Sequence, residues 1–350
     1  MLLKKLLQIF IVILFIVSVN NLLAQETAIT AQFRAETIDS ALRLLKEKYA
    51  YPEIALKMEA AIRARQNGGE YDSITDGNKL AEKLTVDLKA VFDDKHLRIS
   101  YSEQPIPLRS GMSGVPSPEE IERAHRRQKR ENFGLEKIEI LKGNIGFIKL
   151  NYFAPLDWSA DVYSAAFSTV ANTDALIIDL RDNGDSMDID TMPFFCSYLF
   201  DKPVQFGDIF VREKNETRQL WTSAQVPGKK YLDKPVYLLM SRRTASGAEA
   251  FINRLRSLKR ATLIGETTAG ATMPGGTERI NEHFTIWIST GRGSNSSAEN
   301  ENKGVLPDIQ VVPENTFNLA YVQALGQLLQ TSSDNEWKAI LKKVLDSANK

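Results

Sequence analysis

Val236-Tyr-Leu-Leu-Met240-Ser-Arg-Arg-Thr244-Ala-Ser246-Gly-Ala-Glu249-Ala-Phe251 is the stretch on which the fold turns. Its first five residues are uniformly apolar, the pattern of a strand covered on both faces. A short turn follows, and a helix-compatible segment runs from about 247 to 258. Similar apolar runs occur at 145–150, 175–180 and 261–264, with another helix-compatible segment at 159–171. Strands alternating with helices predict an α/β domain whose buried strands are largely parallel. Residues 284–289 and 308–312 read as further strands, and amphipathic helices at 316–330 and 335–348 close the chain.

Upstream the texture differs. Ile38, Ala41, Leu42 and Leu45 share one helical face, as do Leu80, Leu84, Leu88 and Val91. With a break at Gln66-Asn-Gly-Gly69, residues 25–100 read as an N-terminal helical bundle. Residues 101–133 read as a Pro-, Ser- and Gly-rich linker followed by one helix, and 134–350 as the α/β core. Ser117-Pro-Glu-Glu120 opens that helix with a cap, a first-turn proline and a capping-box acid. Its basic end suits a solvated face, with His125 exposed on it.

Residues 1–24 carry Lys4 and Lys5, an apolar run from Leu6 to Val19 and a small residue at Ala24, the layout of a signal peptide. The sequence therefore predicts an exported chain, periplasmic or extracellular, with membrane attachment only through an uncleaved leader. The full chain of 350 residues balances 44 basic against 44 acidic side chains. Without Lys4 and Lys5, 42 basic groups face 44 acidic ones. Such neutrality removes any electrostatic argument for nucleic acid as the main partner. Apolar residues at 43% and charged residues at 25% are globular values. One cysteine excludes an intrachain disulfide framework and a thiolate-rich zinc site. That residue, Cys196, lies in an apolar run suited to packing. The sequence offers neither a metal-ligand histidine pair nor a phosphate-cradling glycine loop, so no metal and no cofactor are expected.

Four places can carry chemistry. Ser246 stands where a strand gives way to a helix, at the sheet edge where α/β folds bind ligands and where free N–H groups stabilise an oxyanion. The same residues, Ser246-Gly-Ala-Glu249, also spell a capping box, and the pattern alone leaves both readings open. Asp182-Asn-Gly184 follows the apolar run at 175–180, and its glycine permits a close backbone approach to a ligand. The chain has three histidines, and His96, after Asp93-Asp94-Lys95, sits in the best context for a base. Glu301 can orient a catalytic group or stand as a solvated loop acid.

Taken in order, six segments resemble the tail-specific (C-terminal processing) serine peptidase family, in the branch of interphotoreceptor retinoid-binding protein and the tricorn core. They are Asp94-Lys-His96-Leu-Arg98, Ile145-Gly-Phe-Ile-Lys-Leu150, Ala175-Leu-Ile-Ile-Asp-Leu-Arg-Asp-Asn-Gly184, Ser241-Arg-Arg-Thr-Ala-Ser246, Arg260-Ala-Thr-Leu-Ile-Gly-Glu-Thr-Thr268 and Gly304-Val-Leu-Pro-Asp308. The resemblance implies a crotonase-like α/β core with an N-terminal helical bundle, acting on peptide or protein C-terminal tails. It implies Ser246 as nucleophile, His96 as general base brought from another domain, and Gly247 and Gly184 N–H groups as the oxyanion hole. Glu301 matches the acid of a serine–histidine–serine–glutamate relay. A lysine base has no counterpart, since that region reads Ala269-Gly-Ala271.

Three departures stand out. Asp185 and Ser186 replace the family's further glycines, so Asp185 must point away from any oxyanion. Lys95 occupies the relay's second-serine position. Residues 101–143 leave no room for a PDZ module. The alternative is a catalytically weak or inactive protein binding apolar ligands or peptides on the same fold.

Overall fold

The computed structural model describes residues 28–107, 116–293 and 302–349. Helices α1 (Ala31–Lys48), α2 (Pro52–Asn67) and α3 (Gly77–Lys89) precede strand β1 (Arg98–Tyr101) and helix α4 (Pro118–Arg130). Next come β2 (Leu135–Leu141), β3 (Ile145–Leu150), α5 (Leu156–Val170), β4 (Ala175–Asp179) and α6 (Thr191–Ser197). The hairpin β5 (Gln205–Val211) and β6 (Glu216–Trp221) leads to β7 (Val236–Met240), α7 (Gly247–Ser257) and β8 (Thr262–Gly265). Strands β9 (Gly275–Arg279), β10 (Phe284–Ser289), β11 (Gly291–Gly293) and β12 (Ile309–Gln310) precede the closing helices α8 (Pro313–Thr331) and α9 (Asn335–Ala348).

The chain forms two compact units. One takes in residues 28–93, 97–107 and 277–288, the other 94–96, 116–276, 289–293 and 302–349. The first unit contains α1–α3 and most of a small sheet ordered β1-β10-β9. Thr30 caps α1 by accepting from Phe33 N, and Asp76 caps α3 by accepting from Lys79 N. Ile38, Ala41, Leu42, Leu45, Leu80, Leu84 and Leu88 are all buried, so both helical stripes face inward. Buried Asp87 accepts from Tyr71 Oη at 2.8 Å and pairs with Lys83 and Arg65, so its charge is compensated. The sequence placed 277–288 with the α/β core; in space these residues cluster with the helices, because β10 pairs with β1.

The second unit is an α/β layer built on a six-stranded sheet, order β12-β8-β7-β4-β3-β2. All neighbours are parallel except the edge pair β2–β3. β4 and β7 are buried along their whole length, as uniformly apolar strands should be. Alternate residues serve opposite faces. Leu176, Ile178, Leu238 and Met240 join the core beneath α5, α6 and α7, whereas Ala175, Ile177, Tyr237 and Leu239 join the core beneath α8 and α9. Phe251 of α7 packs on Phe153 and Phe195 with centroids 5.6 Å away, which fixes the helix against the sheet. Cys196 lies in this layer, fully buried, and burial pushes its thiol up to about 12. A separate sheet, β11-β5-β6, completes the unit.

Helix α4 has the expected capping box, with Ser117 and Glu120 bonded reciprocally. His125 is not exposed as expected. It is half-buried between Phe133 and Trp158, with ring centroids 5.8 and 5.1 Å away, because the short turn after α4 folds Phe133 back onto the helix. Among the described residues no helix is long and apolar enough to cross a membrane. The leader at 1–24 lies outside the described residues.

Candidate active site

The link between β7 and α7 is held by side chains rather than by chance turn geometry. Thr244 Oγ1 donates to Leu180 O at 2.8 Å and accepts from Ser241 N at 2.9 Å. Ser241 Oγ donates to Arg181 O at 2.6 Å and accepts from Arg243 N. Both hydroxyls thereby lock the turn onto the end of β4. Ala245 N donates to Asn183 O, and buried Asn183 is itself tied through Nδ2 to Leu150 O. The Asp182-Asn-Gly184 exit and the residues before Ser246 are thus one hydrogen-bonded assembly.

Ser246 has φ 56° and ψ −129°, a left-handed conformation costly for a residue with a Cβ. Its N–H donates to Ala271 O at 2.7 Å, and its carbonyl accepts from Glu249 N and Ala250 N as α7 begins. The side chain makes no capping bond, so the capping-box reading of Ser246 is wrong. The N–H groups that a cap would satisfy go to backbone carbonyls instead, Ala248 N to Ala245 O and Glu249 N to Ser246 O. Among the described residues, Ser246 Oγ has no hydrogen-bond partner.

Glu249 shows why the box fails. Fully buried, it turns away from Ser246 and accepts from Thr268 Oγ1, from Gly270 N at 2.8 Å and from Ala271 N at 2.7 Å. Ala271 then holds Ser246 N, so the acid positions the serine backbone through one intervening residue. Thr268 also accepts from Val305 N, and Gly304, at φ 69°, lies against Thr268 O where any Cβ would collide at 2.4 Å. The Thr268 and Gly304 segments quoted above therefore meet in space. Sequence reading missed this role; the one signal was a carboxylate beside the buried stripe Ala248, Phe251, Ile252 and Leu255.

Gly247 opens α7 and is buried. A Cβ there would meet Ser186 Cβ at 2.3 Å and Met192 Sδ at 2.6 Å, so only glycine lets the 184–188 loop approach the helix N-terminus. Gly184 is exposed, and a Cβ on it would touch Arg243 O at 3.4 Å. Neither Gly184 N–H nor Gly247 N–H has an acceptor among the described residues. Both therefore have donors to offer beside Ser246. Asp185 is exposed, while its carbonyl accepts from Phe153 N and keeps the loop strand-like.

His96 belongs to the same unit as Ser246. Its N–H donates to Asp94 Oδ1 at 2.9 Å, and buried Asp94 also accepts from Ser289 Oγ at 2.7 Å. That turn sets the backbone of a half-buried His96. His96 and Ser246 do not hydrogen-bond one another in this structure, as often holds before substrate is bound. Lys95 is exposed, and Glu301 lies outside the described residues. Lys149, the lysine at the end of β3, bonds Glu136 and Asp182, and the Glu136 contact foremost holds its ammonium charged. A group so held is a poor base. Among the described residues no cluster of His, Cys, Asp and Glu could hold a metal ion.

The family model described as peptidase family S41 matches residues 144–311, spanning Gly184, Ser246 and Glu301. A second model, the N-terminal domain of peptidase S41 in eukaryotic IRBP, matches residues 22–129, which include His96. The chain belongs to peptidase family S41. Solved structures share the fold of this S41 member. A candidate peptidase from Parabacteroides merdae is 14% identical with a TM-score of 0.55, covering 87% of this chain and 98% of its own. A lipoprotein from Streptococcus agalactiae is 15% identical with a TM-score of 0.53, covering 84% and 96%. The α/β class expected from the β7–α7 stretch is thus the fold of this S41 chain.

Proposed function

We propose that the protein is an exported serine endopeptidase that cleaves peptide or protein tails through an acyl-enzyme on Ser246. His96 takes the Ser246 proton as the hydroxyl attacks and returns it to the leaving amine. Gly184 and Gly247 N–H groups receive the oxyanion, and Glu301 supports the base. The observation that carries the reading is the strained φ of Ser246, which withholds its side chain from capping at the head of α7. Strain of this kind persists where surrounding structure over-determines it, here through Ala271 O, Asn183 O and Thr244.

Hydrolysis of a quenched peptide library by wild type, Ser246→Ala and His96→Gln tests the chemistry. Turnover in wild type, with a loss of about 10³-fold or more in each variant, is expected. Unchanged turnover in Ser246→Ala would refute the assignment, and wild-type peptide binding without turnover would leave the binding-protein alternative. Export is tested by sequencing the N-terminus of the protein recovered outside the cytoplasm; a terminus near residue 25 is expected, and an intact Met1 would contradict removal of the leader.

A further inference from the structure

A cleft of about 590 Å³ runs beside α7, lined by Glu249, Ala250, Asn253, Arg254 and Ser257 on one helical face. It begins next to the serine: Met192, which lines it, abuts Gly247, and Thr272, which also lines it, follows the Ala271 that holds Ser246. Met192, Phe206, Ile209, Leu220 and Pro274 supply apolar walls.

Three charged groups face this space. Glu249 has both oxygens engaged by three donors, and Asp208 Oδ1 accepts from Gln205 Nε2 at 2.5 Å. Arg254 is the remaining one. Its Nε is buried without an acceptor, its Nη1 has a single long contact of 3.4 Å to Ser257 Oγ, and it forms no ion pair among the described residues. A half-buried guanidinium that lines a cleft with apolar walls, and whose Nε has no acceptor among the described residues, gains most from a carboxylate, which accepts two N–H bonds in one plane. The neighbouring Arg260 makes the contrast: its three nitrogens are spent on Leu199, Lys234 and Tyr231 carbonyls.

We propose that this cleft is a substrate subsite in which Arg254 holds a carboxylate of the peptide, carried three to four residues from the scissile bond. The spacing follows from the helix. Eight residues separate Ser246 from Arg254, about 12 Å at 1.5 Å per residue, and an extended peptide covers about 3.3 Å per residue. The proposal rests on the peptidase reading and adds a selectivity for acid that the reading does not contain. The carboxylate comes from the chain end or from an Asp or Glu side chain.

Matched peptides separate these sources: a free C-terminus against its amide, and an internal Asp against Asn at the third and fourth positions from the bond. In wild type the acid is preferred in kcat/KM by about tenfold or more, chiefly through KM. In Arg254→Gln the ratio falls to about one, whereas Arg254→Lys retains part of it. A free-terminus effect alone assigns the chain end, and an Asp effect alone assigns the side chain. The proposal fails if wild type shows no acid preference, or if Arg254→Gln shows the same one. Anisotropy of the same labelled peptides on Ser246→Ala reads the ratio without turnover. An Arg254-dependent preference there, with an inert wild type, would keep the subsite and remove the peptidase reading; no preference there would overturn the subsite.

Discussion

At the residue scale, Ser246 combines a left-handed φ with a hydroxyl that caps nothing. Two stability effects follow. Ser246→Ala stays within about 0.5 kcal/mol of wild type in urea unfolding, because no cap is lost, whereas removing a working N-cap costs about 1 kcal/mol. Ser246→Gly raises stability by up to about 1 kcal/mol by relieving the backbone. A loss of about 1 kcal/mol in the alanine variant would restore the capping reading. The sequence could raise both roles for Ser246 but not choose between them. A capping box and a strained elbow share the same letters, and φ is set by Ala271 and Asn183, which are distant in sequence. The role of Glu249 was hidden for the same reason, since its partners at Thr268, Gly270 and Ala271 are distant in sequence.

At the element scale, α7 is joined to the sheet by apolar packing at Phe251 and Leu255 and to the 268–271 loop by Glu249. Glu249→Gln replaces a triple acceptor with an amide that turns an N–H toward donors. A destabilisation of about 2–4 kcal/mol by urea unfolding is expected, with a loss of Ser246 reactivity exceeding that of a Leu255→Val control of smaller cost. Equal loss in both variants would reduce Glu249 to a stability residue. The strands β3, β4, β7 and β8 and the helices α5, α7, α8 and α9 were legible because buried apolar runs and helical stripes are local signals. Strands β5 and β6 were not: their residues are mostly half-exposed or exposed, so hydrophobic patterning there is weak. With them the cleft beside α7 was invisible to the sequence.

At the scale of the whole molecule, the second unit carries a chain of charges across one end of its sheet: Glu136 of β2, Lys149 of β3, Asp182 after β4 and Arg243 after β7. Hydrogen bonds from Arg243 hold the Asp182 carboxyl below its ordinary value, and Lys149 with Asn151 does the same for Glu136. Lowered carboxyls stabilise the fold above their unfolded value near 4 and lose that contribution as pH falls through the lower folded values. Lys149, raised, contributes below its unfolded value near 10 and loses it as pH rises through the folded one. The network therefore stabilises between about pH 4 and 10, weakly, because its members are partly solvated. Asp182→Asn should lower the melting midpoint by about 1–3 °C at pH 7, with the difference gone near pH 2. A difference that persists at low pH would show another cause.

Ser246 as the nucleophile is the claim on which the rest depends, and covalent labelling tests it without knowledge of the natural substrate. Full-length protein is treated with a fluorophosphonate, digested, and the adduct located by mass spectrometry in wild type and Ser246→Ala. One adduct on the peptide containing Ser246, absent from the alanine variant, is the predicted result. An adduct that survives the substitution, or a wild type that takes none, would contradict the account.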